Sequence, residues 1–546
     1  MSSELGTSRR AGRQALAATT EVPPVARPLA LRNLRTRRRD RGARRTDAWL
    51  AWDEREVVSS RAAERIARVS LIAMILASLW IVSAAAAHTS FLSPTAREGD
   101  YPTWLAGPLG PLTSWHTFGT HSLEAIFTFG AAAMYIGYAA ILICAPRLRP
   151  TWPLAGMVLL QLIYYVSPPL PLTDIFNYLN YGRMEVVHHL NPYTTIPALE
   201  PHTDPTFGLS NWHGLESPYG PLFTLITLVV VPLGVAGSYW AMKTLLLITS
   251  LASVRLIWSA AGALGRNQLG AALFVGLNPI VLVWGLGADH NDFLMILVIA
   301  VAMLLLVRAT SEPRPAARSP IGPGLASRVR SMLADARRPV PGWWWEIGAG
   351  IALAAAVAIK ASAAILVPVI FAGSTRRMRF GAGLAIGLVG FGAAAYAAFG
   401  ANLPNLSQQS GLVIPLGLPN LTGYLLGFGG ETTGWRDVLN LALVASVIAC
   451  TVWAWRAREW VRPAAWVTFA LLLTLSWVLP WYLIWLLPFA ALARPRRIRV
   501  AALLLGVYLF LGWMPYATSF WRDIGIDPAT TITGRADARY LHTLIN

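Results

Sequence analysis

The first residues with the potential for chemistry follow an apolar run that is long enough to cross a membrane. Asp174 comes directly after that run, so its carboxyl group is expected at a membrane edge. An ionisable side chain at that depth is costly and therefore a functional candidate, but Asp174 would equally serve as the cap of a short surface helix. The same segment supplies further candidates for substrate binding: Tyr178, Arg183, Asn191, Tyr193 and Tyr219.

A second polar group joins two apolar segments at positions 289–292. It consists of Asp289, His290, Asn291 and Asp292. These side chains would bind a cation, orient a sugar hydroxyl or cap the following helix, and a solvated turn explains the same pattern. A divalent cation shared with Asp174 requires the fold to bring the carboxylates together, and no cofactor is otherwise indicated.

Lys360 and the pair Trp481–Tyr482 complete the candidates. Lys360 lies alone between two short apolar segments, where its ammonium group either snorkels to the interface or meets an anion such as phosphate. Trp481 and Tyr482 follow Pro480 and would act as interfacial anchors or as walls of a sugar or lipid site.

The composition indicates that these groups lie in a membrane protein. Hydrophobic residues make up 55% of the 546-residue chain, charged residues only 13%, and the mean hydropathy is +0.50. Much of the net charge of +18 comes from residues 1–68, with 16 Arg against 8 acidic residues, and from 308–342, with 7 Arg against 2. Arg clusters beside apolar spans mark the cytoplasmic side. A nucleic-acid partner is not expected, because no folded or aromatic-interleaved module accompanies them.

The apolar runs predict an all-α fold, a polytopic bundle of about 13 transmembrane helices. The long polar loop 172–219 between two of them is expected to contain juxtamembrane helices. The predicted spans are 69–88, 122–144, 153–171, 240–261, 268–286, 291–308, 344–358, 361–373, 379–399, 436–455, 464–479, 482–493 and 499–516.

The Arg-rich loops set the predicted topology. If the apolar segment 220–236 does not span, every Arg-rich loop falls on the cytoplasmic side, so we interpret 220–236 as an interfacial or re-entrant helix. The N-terminus is then cytoplasmic, in a multi-pass plasma membrane protein, and the loop 172–219 lies outside. The span 69–88 is interpreted as a retained first helix rather than a cleaved signal.

The predicted domains follow from this topology. Residues 1–68 form a basic, mostly disordered cytoplasmic tail, and residues 69–516 form the bundle, with a catalytic outer loop at 172–219. A basic cytoplasmic loop occupies 309–342, and a C-terminal segment covers 517–546. Cys144 and Cys450 lie in apolar runs and are expected to be packing residues.

The ordered set of motifs over residues 69–516 resembles the C-type glycosyltransferases, polytopic enzymes that use polyprenyl-phosphate sugars. It is most similar to the actinobacterial polyprenol-phosphomannose-dependent α-1,6-mannosyltransferases, which build lipomannan-type glycolipids of the cell envelope. The motifs are Asp174-x3-Tyr178, Gly182-Arg183, Asn191-Pro192-Tyr193, Ser217-Pro218-Tyr219-Gly220-Pro221, Asn278-Pro279, Gly287-x2-His290-Asn291-Asp292 and Pro480-Trp481-Tyr482.

The resemblance implies a chemistry for these residues. Asp174 would act as the catalytic base for an acceptor hydroxyl, and the lipid phosphate would leave from the opposite face with inversion. Arg183 and Lys360 would stabilise the departing phosphate, with His290 as a third candidate. Members of the superfamily often carry a second acidic residue beside the first-loop Asp; its neighbours here are Thr173 and Ile175.

The implied partners are a polyprenyl-phosphate mannose donor, a glycolipid or glycan acceptor, and membrane lipids. Three alternatives remain: a transferase for another polyprenyl-phosphate sugar such as arabinose or glucose, a transporter or lipid flippase, and a non-catalytic scaffold. No internal repeat supports the transporter. The transferase hypothesis predicts that Asp174, Arg183, His290 and Lys360 converge on one outward-facing cavity, near Asp292.

Overall fold

The computed structural model describes residues 60–87, 102–114, 119–170, 172, 174–310, 343–494 and 496–545. All of them belong to one compact unit, residues 50–546. The described residues form helices and connecting turns and no strand, which confirms the predicted all-helical fold. The predicted tail before residue 60 and most of the predicted basic loop 309–342 lie outside the described residues.

We number the α-helices of the described residues in chain order. They are α1 Arg61–Ala87, α2 Thr120–Cys144, α3 Thr151–Tyr165, α4 Asp174–Val186, α5 Pro221–Val230, α6 Gly234–Ala263, α7 Gln268–Gly276, α8 Asp292–Thr310, α9 Trp343–Ile359, α10 Leu366–Gly373, α11 Arg377–Phe399, α12 Ser407–Ser410, α13 Leu418–Leu425, α14 Thr433–Ala457, α15 Val461–Thr474, α16 Leu487–Leu492, α17 Arg497–Gly512, α18 Ala517–Asp523 and α19 Ile532–Ile545. A π-helical turn, Ile280–Leu286, follows α7, and 3-10 turns at Ala361–Ile365 and Pro480–Trp485 precede α10 and α16.

Several of these helices are long and apolar enough to cross a bilayer, as a multi-pass membrane protein requires. Among the described residues there are six such segments, or eight if each of two bent helix pairs is one span. The predicted number of about 13 therefore stays a prediction. The six segments are Arg61–Ala86, His121–Arg147, Pro221–Ala263, Asp292–Thr310, Arg377–Phe399 and Thr433–Ala457.

The segment predicted as an interfacial helix at 220–236 contains the ten-residue helix α5 and a turn. Gly234 then adopts a φ of 73°, a backbone conformation that glycine tolerates best, and α6 begins. A helix of ten residues is about 15 Å long, less than the roughly 30 Å hydrocarbon core. However, α5 and α6 together form one apolar stretch of 43 residues, and the proposed topology here stays a prediction.

Two segments near the C-terminus differ from the predicted spans. The predicted span 464–479 is helical only to Thr474, where α15 ends, and residues 475–479 continue without helix. The predicted span 482–493 begins as a 3-10 turn at Pro480 and ends as the short helix α16. Pro480 and Pro488 lack backbone N–H donors, so a single straight helix through this segment would lose hydrogen bonds.

A close backbone approach brings the Ser217–Pro221 motif against the end of α9. The Gly220 amide donates a 3.0 Å hydrogen bond to the carbonyl of Ile359, the last residue of α9. A Cβ atom at Gly220 would lie 2.2 Å from the Ala358 carbonyl oxygen, so only glycine fits without a shift of the backbone. The motif therefore places Tyr219 beside Lys360, the residue that follows α9.

The C-terminal helix α19 packs onto the loop that precedes that motif. The Gly214 amide donates to the Leu544 carbonyl at 2.9 Å, and the buried Leu544 side chain packs with Leu215 and Leu412. The C-terminal segment is thus part of the folded structure. Cys144 and Cys450 are buried, unpaired cysteines, in agreement with their predicted packing role.

Candidate active site

A cavity of about 430 Å³ is lined by residues of α4, of the loop 211–219, of α14 and α15, and of the segment 475–485. Asp174, Lys360 and Arg436 are the charged residues among those that line it. Of the residues predicted from sequence, the cavity is lined by Asp174, Tyr178, Tyr219, Lys360, Trp481 and Tyr482. The cavity continues between α14 and α15, where Leu443 and Leu471 line it together with Asn440 and Thr474.

Asp174 is the first residue of α4 and supplies the carboxylate of the cavity. The indole N–H of Trp212 donates to its Oδ1 at 3.4 Å. The pKa of Asp174 is raised to about 6, mainly by burial and to a smaller degree by the charge of Asp292. The Trp212 hydrogen bond and the Lys360 cation lower this pKa and offset part of the rise. A carboxyl with this pKa is ionised at neutral pH and basic enough to accept a proton.

Lys360 supplies a cation to the same cavity from an extended residue between α9 and the 3-10 turn Ala361–Ile365. Its ammonium group donates to Asp292 Oδ1 at 2.8 Å, and its side chain remains 15% exposed. The ammonium also lies 4.8 Å from the ring centre of Tyr482 and 5.1 Å from that of Trp485. Lys360 therefore does not snorkel freely; the carboxylate and the two rings hold it at the cavity wall.

Aromatic side chains form much of the cavity wall near Asp174 and Lys360, which we call the polar end of the cavity. The rings of Tyr178 and Tyr219 meet edge to face with centres 4.9 Å apart. Tyr482 and Trp485 stack with centres 4.3 Å apart. Such packed rings have restricted rotamers and present flat apolar faces with polar edges, a surface suited to a sugar ring.

The polar residues 289–292 lie behind the cavity wall rather than on it. All four are buried, and Asp292 accepts hydrogen bonds from Lys360 and from the Trp485 indole. The ring of His290 lies 3.6 Å from the centre of Trp481, and its two nitrogens have no hydrogen-bond partner in the described part of the chain. Burial, with a smaller contribution from Lys360, holds the pKa of His290 well below its usual range, so the ring is neutral.

Arg183 is not brought to the cavity. Its guanidinium makes a two-pronged contact with Asp204, with Nη2 at 2.8 Å from Oδ2. His188 approaches the same oxygen at 2.8 Å. Burial alone would raise the pKa of Asp204, but hydrogen bonds from Arg183, Thr206 and His188 outweigh it and hold that pKa below its usual range. Arg183 thus ties the loop 172–219 together, and the expected convergence with Lys360 does not occur.

Asn191 and Tyr193 likewise hold the loop to neighbouring elements. The Asn191 amide donates to the carbonyl of Phe399 at the end of α11, at 3.1 Å. The Tyr193 hydroxyl lies 2.7 Å from the Thr224 hydroxyl and donates to the Tyr219 carbonyl at 3.0 Å. Neither residue is among those that line the cavity.

The described residues contain no group of three or more His, Cys, Asp or Glu side chains arranged to hold a metal ion. Asp289 is paired with Lys243, and Asp292 with Lys360. The three carboxylates considered from sequence therefore do not meet at one point in this part of the chain.

Residues 61–376 match the α-(1→6)-mannopyranosyltransferase family, in the part described as its N-terminal domain. This chain belongs to that family. It is therefore a glycosyltransferase, as its motifs indicated. The matched residues include Asp174, Lys360 and the buried 289–292 segment, so they contain both charged groups at the polar end of the cavity.

Two curated relatives agree with this family membership. An α-(1→6)-mannopyranosyltransferase A of Mycobacterium tuberculosis is 26% identical over 405 residues, which cover 67% of this chain and 71% of the relative. A protein of the same name from Corynebacterium glutamicum is 30% identical over 150 residues, which cover 26% of this chain and 29% of the relative. No solved structure matches the chain.

Three residues at or behind the cavity of this mannosyltransferase were not predicted from the sequence. Trp212 lies in a loop with no helical or charge pattern to mark it. Arg436 lies in the first turns of α14, pairs with the buried Glu431 at 2.8 Å and lines the cavity. Of the three, Lys243 could have been recognised from the sequence. A lone lysine within a predicted span is a functional candidate, because placing its charge in the membrane is energetically costly.

Proposed function

We propose that this mannosyltransferase takes mannose from a polyprenyl-phosphate donor and adds it to a glycolipid or cell-envelope glycan, forming an α-1,6 linkage. The observation that carries the proposal is a cavity whose lining includes one carboxylate, Asp174, and the cation Lys360 among mostly aromatic and apolar side chains. A lipid-linked sugar phosphate has matching parts: a sugar, an anion and a hydrocarbon chain.

The proposed reaction is a direct displacement with inversion. Asp174 removes the proton of the acceptor hydroxyl while its oxygen attacks the anomeric carbon of mannose. The bond between that carbon and the phosphate oxygen breaks on the opposite face, and the polyprenyl phosphate keeps the electron pair. A β-linked mannosyl phosphate then yields an α-mannoside, through a transition state with oxocarbenium character.

Lys360 has the charge to stabilise the departing phosphate, since a fixed cation next to a developing oxyanion lowers the barrier. Phosphate is a good leaving group, so the reaction needs no separate general acid. One carboxylate is therefore sufficient, which fits a cavity whose charged lining residues include one acid.

The lipid chain of the donor is proposed to leave the cavity between α14 and α15. Leu443 of α14 and Leu471 of α15 line the cavity there, with Leu475 beyond the end of α15. The side of α14 that is turned away from the rest of the protein is rich in exposed large apolar residues, such as Leu441 and Ile448. Such a surface is expected of a helix that faces lipid. A polyprenyl chain would thus pass from the cavity directly into the bilayer.

The cavity is proposed to face outside the cytoplasm, where glycans of the cell envelope are assembled. This follows from the positive-inside topology, in which the loop 172–219 is external.

The test uses purified protein in proteoliposomes with radiolabelled polyprenyl-phosphate mannose and a mannoside acceptor. The wild type is expected to transfer label, and Asp174→Asn to lose roughly 10²–10⁴-fold in rate because the base is gone. Asp523→Asn, an exposed carboxylate away from the cavity, is the matched control and should retain activity. Full activity of Asp174→Asn would remove Asp174 as the base, and labelled arabinose or glucose donors that outperform mannose would reassign the sugar.

A further inference from the structure

A buried ion pair behind the cavity joins α6 to the 289–292 segment. The Lys243 ammonium lies 3.0 Å from Asp289 Oδ1 and 3.2 Å from Oδ2, and it donates to the Ser167 carbonyl at 2.8 Å. The side chains are 1% and 2% exposed. The ammonium group thus binds both Asp289 and Ser167, and Lys243 is not among the residues that line the cavity.

Asp289 holds an unusual backbone conformation. Its φ is 57°, in the left-handed region, which it shares with His189 and Arg458 among the non-glycine residues described. This region is strained for most side chains, and Asp tolerates it better than most residues. The conformation reverses the chain, and the His290 amide then donates to the Gly285 carbonyl at 3.0 Å.

This reversal fixes the two residues that contact the cavity wall. His290 packs its ring 3.6 Å from the centre of Trp481, which lines the cavity. Asp292 accepts a 2.8 Å hydrogen bond from the Lys360 ammonium group and another from the Trp485 indole N–H. The position of the Asp292 carboxylate therefore sets the positions of the Lys360 and Trp485 side chains. A displacement of Asp289 would therefore be transmitted to Trp481 through one contact and to Lys360 through another.

We propose that Lys243 and Asp289 are positioning residues for catalysis: their ion pair anchors the 288–292 turn to α6 and thereby holds Lys360 and Trp481 in place. The proposal rests on the function proposed above, which assigns Lys360 to the departing phosphate, and Trp481 lines the same cavity. Neither Lys243 nor Asp289 touches substrate in this scheme.

A purely structural role makes a different prediction. Removing one partner of a buried pair is strongly destabilising, because it leaves an uncompensated charge. Removing both often costs little stability. If the pair serves only stability, a double variant that folds normally should also have normal activity.

The discriminating variant is Lys243→Met/Asp289→Asn, which removes both charges while asparagine still accepts a positive φ. We expect a thermal midpoint close to that of the wild type and a loss of about 10²-fold in kcat, the effect of misplacing catalytic groups by about 1 Å. KM for the donor should change less than kcat, because no residue that lines the cavity is substituted. A second variant, Lys243→Met/Asp289→Gly, repeats the test with the residue that adopts positive φ most readily.

The matched control is Glu346→Gln/Arg376→Met, which removes a pair 3.3 Å apart whose glutamate is also fully buried. Neither residue is among those lining the cavity, so this variant should keep its kcat. A folded Lys243/Asp289 double variant with wild-type kcat overturns the proposal. So does failure of both double variants to fold while the control folds, since the pair would then be needed for folding.

The two proposals fail in distinguishable ways. If the proposed function is wrong, the wild type shows no mannosyl transfer from the polyprenyl donor, or Asp174→Asn is as active as the wild type. If only the positioning role is wrong, the wild type is active, Asp174→Asn is inactive, and the Lys243/Asp289 double variant turns over normally.

Discussion

Lys360 and Asp292, 68 positions apart in the chain, are joined by a 2.8 Å hydrogen bond that crosses from the end of α9 to the start of α8. The Asp292 side chain is completely buried, whereas Lys360 keeps 15% of its side chain exposed at the cavity. The pair therefore fixes a cation at the cavity wall while hiding the anion that holds it. Without Asp292, the flexible lysine would be free to leave the wall for the interface.

This relationship predicts two separable effects of Lys360→Met. The substitution leaves the Asp292 carboxylate buried without its cation, which should destabilise the protein by about 3–5 kcal/mol. It also removes the charge proposed to stabilise the leaving phosphate, which should lower kcat by about 10²–10³-fold. Thermal unfolding and steady-state transfer rates measure the two effects.

The double variant Lys360→Met/Asp292→Asn separates them. It should regain most of the lost stability, because no unpaired charge stays buried, but it should remain as slow as the single variant. Recovery of both stability and rate would show that Lys360 takes no part in the reaction.

The pKa of Asp174 predicts the pH dependence of transfer. The base acts in its deprotonated form, so with a pKa of about 6 the rate should rise through pH 6 and reach a plateau above pH 7. The Trp212 hydrogen bond lowers this pKa, so Trp212→Phe should move the midpoint to higher pH. Asp292 raises it, so removing that charge should move the midpoint to lower pH. Rates measured from pH 4 to 9 test this, and a flat profile would contradict it.

The cleft between α14 and α15 predicts a selective effect of chain length. Leu443→Trp places a bulky ring in the proposed exit of the lipid. KM should rise for a donor with a full-length polyprenyl chain and change little for one with a short chain, because the short chain ends inside the cavity. Leu441→Trp on the exposed side of α14 is the matched control. Equal effects on both donors would place the lipid elsewhere.

The packing of α19 predicts which residues share a membrane face. The loop 211–215 contacts α19, so single cysteines at the exposed positions His202 and Ala538 should both react with an impermeant maleimide from outside the cell. A cysteine at Arg456, near the far end of the 25-residue helix α14, should react only after the membrane is opened. The two natural cysteines are buried and should give little background. Cytosolic labelling of His202→Cys would contradict the proposed external cavity.

The amino-acid sequence by itself determined the all-helical membrane fold, the family and most of the residues at the polar end of the cavity. Long apolar runs leave the backbone little alternative to helices, because hydrocarbon offers it no hydrogen-bond partners. Charged residues at the ends of such runs are visible for the same reason, because their burial is expensive. Asp174 and Lys360 were found in this way, whereas Trp481 was predicted as an aromatic residue at an interface or site wall.

Only the tertiary structure decided which of those residues meet. Spacing along the chain did not show that Arg183 is bound by Asp204, that Asp289 pairs with Lys243, or that Trp212 reaches Asp174. These contacts join segments separated by 21 to 46 positions, and each is set by how helices and loops pack. The sequence shows that a charge within an apolar region needs a partner, but the partner is determined by how distant segments pack. That packing also determines which charged residues line the cavity and which ones stabilise the structure behind it.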